Sequence, residues 1–374
     1  MFQKMLEERN LPELMKLNDG SPVKTPEDWR KRREEILDIL RREIYGYAPE
    51  APKEVRGRVE KRAEEAFGGK ATQEKIWIEF DTPKGLFSFP MTLILPKKEE
   101  KVPMFLLLNF RPEIPDKYFP AEEIVDHGYG VAVICYEEVS RDNNHSTERF
   151  EDPNGYFTAP EDGLSAMYSR DRKTGWGKIG VWAWAASRGM DYLCTRPEVD
   201  KERVCVVGHS RLGKTALWAG AQDERFSMVC SNDSGCGGAA IFREKIGEDI
   251  KFMAEAIPFW FCGNYCDYAG REAELPYDQH FLLALIAPRA LVVASASEDS
   301  WADPTSEFLA TVAAEPAFLL TGQPGMEKTD RIPQANTFLL QGNPAYHNRE
   351  GKHFLSRTDW LSYMRFRELH GDKF

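Results

Sequence analysis

Gly208 and Ser210 stand where the apolar run 204–207 meets the start of a predicted helix. This spacing is typical of a nucleophile elbow, the sharp strand-to-helix turn that exposes a serine hydroxyl above an α/β-hydrolase sheet. Such a serine attacks carbonyl carbon when a neighbouring base removes its proton. The alternative is a serine that only caps the helix. The segment departs from G-x-S-x-G because its second glycine, Gly213, comes one residue late, which we interpret as room for Arg211.

A serine nucleophile needs a histidine as its base, and the sequence has seven. In α/β-hydrolases this histidine follows the last strand of the sheet. His347 and His353 both follow the apolar run 338–340. We favour His353, which lies in a glycine-containing loop, and keep His347 as the alternative. His280 precedes a long apolar run and is predicted to be structural, while His209 is expected to point away from the serine.

Two aspartates are candidates for the acid that orients the histidine. Asp299 follows the apolar strand 290–296, at the usual position for a triad acid. Asp233 lies in a glycine-rich loop after the preceding strand, where an Asx-turn is the alternative role. Asp303 precedes a proline and is predicted to be a helix N-cap. Either Asp299 or Asp233 can serve, because a triad is defined by geometry.

Arg211 and Lys214 place two cations at the mouth of the elbow. The Arg211 backbone N–H follows the nucleophile and is a candidate oxyanion donor, to which its guanidinium adds further donors. Lys214 lies one helical turn beyond Ser210 and is a candidate ligand for substrate hydroxyls. The alternative for both is a solvated helix face. Two cations at this position in a chain of net charge −11 favour the functional interpretation.

Composition narrows the class of protein. The 374 residues are 42% apolar, with 49 basic and 60 acidic side chains. The negative balance argues against nucleic acid and anionic membranes as partners. No stretch approaches the roughly 20 apolar residues of a membrane helix. Residues 1–9 include acidic residues and lack an apolar core region, so we expect either an intracellular protein or a secreted one whose leader is removed.

Short apolar strands alternate with helical segments along the chain, which predicts a mostly parallel sheet with helices on both faces. Residues 1–70 are predicted to form an N-terminal helical arm, with Thr25 as an N-cap. The run 75–80 is predicted to be an edge strand, and 138–178 an insertion near the site. We expect one α/β-hydrolase domain over residues 1–374. The predicted strands are 75–80, 87–95, 103–109, 131–136, 204–207, 226–230 and 290–296, and the main helices are 179–195, 211–221 and 360–369.

Several motifs together resemble the glucuronoyl esterases, carbohydrate esterase family 15, and especially its bacterial branch. The resemblance covers about residues 29–363. It implies hydrolysis of esters between 4-O-methyl-glucuronic acid on xylan and lignin alcohols, by a serine, a histidine and a carboxylate without a metal. The motifs are Gly208-His-Ser-Arg-Leu-Gly-Lys214, Ser231-Asn-Asp-Ser-Gly-Cys-Gly-Gly238, Leu275-Pro-Tyr-Asp-Gln-His280, Leu285-Ile-Ala-Pro-Arg289 and Asp299-Ser-Trp-Ala-Asp-Pro304.

The resemblance also implies roles for individual residues. Ser210 matches the nucleophile, and Arg211 matches an arginine that stabilises the oxyanion. Lys214 matches a lysine that binds sugar hydroxyls, and Trp301 matches a tryptophan that lines the uronate pocket. We expect these four side chains to share one pocket, with no metal and no cofactor.

The two acids match positions that different family members use. Asp233 stands where many members carry a glutamate as the triad acid, and Asp299 stands where others carry an aspartate. Because Asp233 is one methylene shorter than glutamate, we favour Asp299 as the main acid, with Asp233 supporting it. Fungal members have a cysteine where His209 stands, so their disulfide beside the nucleophile is absent here.

The sequence therefore predicts a serine esterase that hydrolyses glucuronate esters through an acyl-enzyme on Ser210. An acetyl xylan esterase or other carbohydrate deacetylase on the same fold is the alternative. A catalytically silent carbohydrate-binding protein is the alternative from another class. We expect a glucuronoxylan or glucuronate ester as the binding partner, and a monomer.

Overall fold

The computed structural model describes residues 2–142, 150–151, 157–158 and 162–371. The predicted insertion at 138–178 lies partly outside the described residues. In the described part, the strands are β1 Arg56–Ala66, β2 Ala71–Thr82, β3 Gly85–Pro96, β4 Val102–Asn109, β5 Gly130–Cys135, β6 Phe150–Glu151, β7 Phe157–Thr158, β8 Val199–His209, β9 Met228–Asn232, β10 Ala290–Ala296, β11 Thr337–Leu339 and β12 Ala345–Arg349.

Ten of these strands form one sheet in the order β1-β2-β3-β5-β4-β8-β9-β10-β12-β11. Six neighbouring strands, from β5 to β12, are parallel, and antiparallel strands extend the sheet at both ends. The parallel strands β4, β5 and β10 are apolar and almost wholly buried because helices cover both faces. This is the α/β-hydrolase architecture that the alternation of strands and helices predicts.

The helices of the described residues are α1 Phe2–Glu8, α2 Pro26–Leu40, α3 Ala121–Asp126, α4 Tyr136–Val139, α5 Gly163–Ala166, α6 Lys178–Leu193, α7 Arg211–Gln222, α8 Ile250–Ala256, α9 Gly263–Cys266, α10 Gln279–Ala284, α11 Pro304–Leu320 and α12 Arg357–His370. A π-helical turn covers Arg41–Tyr45, and 3₁₀ turns cover Pro258–Trp260 and Glu272–Glu274. Among the described residues, no helix is long and apolar enough to cross a membrane.

Two apolar cores lie against the two faces of the sheet. The larger core takes side chains from α2, α6, α7, α10 and α11. The smaller core takes side chains from α3 and α12, including the fully buried Trp360. Helices on both faces leave the carboxyl ends of the parallel strands open, which is where ligands bind in this class of sheet. The loops after β8, β9, β10 and β12 all emerge at this edge.

The N-terminal arm is shorter than predicted. Thr25 does cap α2, and a capping box joins it to Asp28. Helical structure ends at Tyr45, however, and β1 occupies Arg56–Ala66. The prediction of an arm to residue 70 and of 75–80 as an edge strand is therefore wrong. β1 is almost wholly exposed and densely charged, as suits an edge strand, so it carries no apolar periodicity to reveal it.

Candidate active site

Ser210 sits in a strained backbone conformation between β8 and α7. Its φ is 58° and its ψ is −128°, a region that L-residues rarely occupy. The Ser210 N–H donates to the Asn232 carbonyl at 2.9 Å, which ties the turn to the end of β9. A Cβ on Gly208 would lie 1.9 Å from the Leu212 carbonyl oxygen, so only glycine fits there. These features are those of a nucleophile elbow.

Gly213 is required for packing rather than for the Arg211 side chain. A Cβ on Gly213 would lie 2.9 Å from the Ser234 Cβ and 3.1 Å from the Asn232 carbonyl oxygen. The late glycine therefore lets α7 approach the loop after β9. The interpretation that it makes room for Arg211 is wrong, because the atoms that a Cβ would meet belong to Ser234, Asn232 and Gly208.

His353 and Asp299 form the hydrogen bond expected of a base and its orienting acid. His353 Nδ1 donates to Asp299 Oδ2 at 2.5 Å. Asp299 is buried and its other oxygen accepts from the Ala302 N–H at 3.2 Å. Burial raises the pKa of Asp299, but the hydrogen bond from His353 and its charge outweigh burial, and the net pKa is lowered. This is the arrangement in which a charged carboxylate orients an imidazole.

Asp233 contacts the backbone beside His353. Its Oδ2 accepts from the Phe354 N–H at 3.3 Å and lies 3.5 Å from Arg349 Nη2. Ligand atoms of Asp233, Asp299 and His353 all lie within 4.8 Å of one another. Burial raises the pKa of Asp233 well above its usual value, and the negative charges of neighbouring carboxylates raise it further. Asp299, and not Asp233, is placed to orient the imidazole.

The other candidate histidines have structural partners. His347 is buried in β12, and its Nε2 bonds Asp359 Oδ1 at 2.8 Å. His280 is buried with its Nε2 3.0 Å from the Pro12 carbonyl, as its predicted structural role requires. The Nδ1 of His209 bonds Asn232 Oδ1 at 2.6 Å, and its ring centroid lies 4.4 Å from that of His353. Burial lowers the pKa of His209 to about 3, so this neighbour of His353 is neutral.

Arg211 is held beside the elbow by partners that sequence reasoning missed. Its guanidinium packs 4.7 Å from the Trp260 ring and 5.7 Å from the Phe110 ring. Arg211 Nη1 donates to the buried carboxylate of Asp142, which also accepts from Trp260 Nε1 at 2.5 Å. Asp142 lies in a polar stretch of the sequence, so nothing in the sequence indicated that its side chain would be buried. The solvated-face alternative for Arg211 is wrong, since four-fifths of its side chain is covered.

Lys214 is buried beside Arg211, in the cavity next to Ser210. Its Nζ donates to the Ser234 carbonyl at 2.7 Å and to Glu248 Oε2 at 3.0 Å. Only 2% of Lys214 is exposed, which overturns the solvated-face alternative. Glu248 lies in a segment without periodicity or motif, and the sequence analysis did not identify it. The pair places one donor and one acceptor where a hydroxylated ligand needs both.

Trp301 forms the rim of the cavity. It is 48% exposed and meets Phe252 edge to face, with ring centroids 5.0 Å apart. The cavity encloses about 220 Å³ and is lined by Ser210, Arg211, Lys214, Asp233, Glu248, Phe252, Ile257, Trp260, Trp301, Ala302 and His353. The predicted nucleophile, base, cations and tryptophan therefore share one pocket, and Asp299 lies behind His353.

An α/β-hydrolase sheet, a strained elbow serine and a histidine–aspartate pair define a serine hydrolase. Comparison with known proteins gives the family. Residues 80–322 match the family model described as glucuronyl esterase, fungi. A carbohydrate esterase from an unknown prokaryotic organism is 34% identical over 96% of this chain and 89% of its own length. The 4-O-methyl-glucuronoyl methylesterase of Schizophyllum commune is 29% identical over 84% of this chain and 74% of its own length.

Structural comparison agrees. The glucuronoyl esterase from Solibacter usitatus superposes with a TM-score of 0.85 and is 36% identical, covering 96% of this chain and 97% of that one. The chain belongs to carbohydrate esterase family 15, the glucuronoyl esterases, on their bacterial branch. It is a carboxylic ester hydrolase.

Proposed function

We propose that this protein hydrolyses esters of glucuronic acid and 4-O-methyl-glucuronic acid, as in lignin–carbohydrate or glucuronoxylan linkages. The observation that carries the proposal is one cavity that holds both hydrolytic groups and sugar-binding groups. Ser210 and His353 line it beside the Lys214–Glu248 pair. Its volume of about 220 Å³ is below the ~300 Å³ lower bound for drug-sized ligands, which suits a single sugar ring.

The residues divide the reaction into two steps. Ser210 Oγ attacks the ester carbonyl while His353 Nε2 accepts its proton, and Asp299 stabilises the imidazolium. The tetrahedral oxyanion accepts hydrogen bonds from the Arg211 backbone N–H and guanidinium. The C–O bond to the alcohol breaks, and His353 returns the proton to that alcohol. Water then adds to the acyl-enzyme with His353 again as base, releasing glucuronate and free Ser210.

Arg211 and Lys214 are cations in a pocket whose proposed substrate is uncharged at the reacting group. An esterified carboxyl is neutral, so the substrate offers Arg211 no anion in the ground state. Charge develops on the carbonyl oxygen in the transition state, and a group that binds only then accelerates the reaction. Lys214 and Glu248 bind sugar hydroxyls throughout the reaction.

The test is turnover of benzyl glucuronate by wild type and Ser210→Ala. We expect Ser210→Ala to fold and to lose at least about 10⁴-fold in kcat, because the nucleophile and its base act as a unit. A fluorophosphonate should label wild type and leave the variant unlabelled. Retained turnover in Ser210→Ala would overturn the nucleophile assignment. Faster hydrolysis of an aryl acetate than of the glucuronate ester would favour a deacetylase, and absent labelling would favour a binding protein.

A further inference from the structure

The buried side chain of Arg349 wraps around the loop that carries His353. Arg349 is the last residue of β12 and is 5% exposed. Its Nη2 donates to the carbonyls of Lys352, at 2.9 Å, and Phe354, the residues on either side of His353. Its Nη1 donates to the Glu350 carbonyl at 3.1 Å. One guanidinium therefore satisfies three carbonyls of a loop that has no regular backbone pairing of its own.

The guanidinium is itself fixed by buried carboxylates. Arg349 Nε donates to Asp359 Oδ2 at 2.8 Å, in the first turn of α12. On the other side, Asp233 Oδ2 lies 3.5 Å from Arg349 Nη2 and accepts the Phe354 N–H. Asp233 and Asp359 are both buried, so water does not compete for these bonds. The arginine thus connects the start of α12 and the loop after β9 to the backbone of the histidine loop.

A second set of bonds joins this loop to the loop of the acid. The Ser297 N–H donates to the Arg349 carbonyl at 2.8 Å, and the Glu298 N–H donates to the Gly351 carbonyl at 2.9 Å. These backbone hydrogen bonds hold the two loops side by side. The backbone of residues 352–354 is held instead by hydrogen bonds to Arg349 and Asp233. His353 has 41% of its side chain exposed, so packing alone does not hold the imidazole.

We propose that Arg349 is a positioning residue for His353: its fork, together with the Asp233 acceptor, holds the backbone on both sides of the imidazole so that Nδ1 meets Asp299. This inference rests on the proposed serine-hydrolase mechanism and adds a determinant of its geometry. A lysine has a single cationic head group and cannot donate to both flanking carbonyls and to Asp359 in the arginine's planar geometry.

The experiment compares Arg349→Lys with Arg367→Lys. Arg367 is also buried, at 4% exposure, but it stacks on Phe105 and donates to the Arg203 carbonyl, away from the histidine loop. Arg349→Lys should lower kcat for benzyl glucuronate by about 100-fold, as expected for a displacement of about 1 Å, with KM within about twofold. The low-field proton resonance of the His353–Asp299 bond should broaden or shift upfield. Arg367→Lys should lower Tm with kcat and this resonance unchanged.

Arg349→Lys with kcat within about threefold of wild type would overturn the proposal, as would an equal loss of kcat in Arg367→Lys. If Arg349→Lys does not fold, Asp233→Asn and Asp233→Gly give the answer, since both residues tolerate the positive φ of 45° at this position. The asparagine keeps an acceptor for the Phe354 N–H and should therefore lose less kcat than the glycine, which has no acceptor. Equal kcat in the two variants would contradict the proposal.

Fluorophosphonate labelling separates this inference from the identity of the substrate. Phosphonylation of Ser210 needs His353 as base but no sugar. Slower labelling of Arg349→Lys than of Arg367→Lys therefore supports the positioning role even if wild type fails to hydrolyse glucuronate esters. Equal labelling rates would overturn the role whatever the substrate is.

Discussion

His353 Nδ1 and Asp299 Oδ2 lie 2.5 Å apart although the two residues are 54 positions apart in sequence. The bond joins the loop after β12 to the loop after β10, two strands that pair directly in the sheet. Because parallel neighbours end at the same edge, this pairing brings base and acid together. The bond also accounts for the lowered pKa of Asp299, since it opposes the effect of burial.

Asp299→Asn should lower kcat for a glucuronate ester by about 10³- to 10⁴-fold, because an amide does not stabilise the imidazolium or hold the required tautomer. Asp303→Asn in the same loop is the matched control. Asp303 caps α11 by accepting from the Ser306 N–H at 3.2 Å, and asparagine keeps that cap. The control should retain kcat. A loss of less than about tenfold in Asp299→Asn would show that another carboxylate is the acid that orients His353.

Asp233→Asn should keep kcat within about tenfold of wild type. An asparagine keeps an oxygen that accepts the Phe354 N–H, and Asp299 is the acid that bonds the His353 imidazole. Steady-state kinetics at neutral pH give the comparison with Asp299→Asn. A loss as large as that of Asp299→Asn would instead make Asp233 a full member of the catalytic acid pair.

The sequence predicted the central sheet, the elbow and the chain order Ser210–Asp299–His353 because each follows from signals that the sequence carries. Apolar runs mark the strands, Gly208 marks the turn, and the triad order follows from chain direction in this fold. β1 was missed because a solvent-exposed, charged strand has no apolar pattern. Its pairing with β2, which shows only in three dimensions, makes it a strand.

The supports of the site were beyond sequence reasoning for a different reason. Asp142 and Glu248 act through buried ion pairs with Arg211 and Lys214, and partners so distant in sequence leave no periodic trace. The same holds for Arg349, because its contacts depend on which backbone carbonyls of the loop after β12 point toward its guanidinium. The candidate catalytic residues were recognisable by motif, whereas the residues that contact and hold them were not.

Arg211→Ala should lower kcat by about 10- to 100-fold, somewhat less than the loss of a sole oxyanion donor, because the backbone N–H at position 211 remains. Free glucuronate should inhibit wild type competitively, since the product carries the anion that the ester lacks. The inhibition constant should rise in Arg211→Ala. Kinetics with added glucuronate measure both effects. An increase in KM for the ester with kcat unchanged would place Arg211 in ground-state binding instead.

We expect His280→Gln to make the free energy of unfolding fall less as the pH is lowered. Burial lowers the pKa of His280 to about 3, below the ordinary 6.5, so the unfolded state binds its proton first as pH falls. The neutral histidine therefore costs stability progressively between pH 6.5 and 3, by about 1.4 kcal/mol per pH unit. The variant keeps an amide donor for the Pro12 carbonyl.

The measurement is the free energy of unfolding of wild type and His280→Gln in urea at pH 7.5 and 5.0. Wild type should lose about 2 kcal/mol more than the variant over this range. The difference between the two proteins isolates His280, because the other titrating groups are common to both. Glu307, whose pKa burial raises to about 7, is one such group, and its contribution to stability falls as pH rises. Parallel pH dependence of the two proteins would show that His280 has the same pKa in the folded and unfolded states, which contradicts the lowered pKa.

Trp301→Ala should raise KM for a glucuronate ester by about tenfold, equivalent to about 1.4 kcal/mol of binding, with a smaller change in kcat. The exposed indole, braced by Phe252 at 5.0 Å, offers a face on which a sugar ring can stack. An aryl acetate has no sugar ring, so its KM should change by less than about twofold. Trp77→Ala, on β2 outside the cavity, is the matched control and should leave both substrates unaffected. An equal increase in KM for ester and acetate would show that Trp301 shapes the pocket without selecting the uronate.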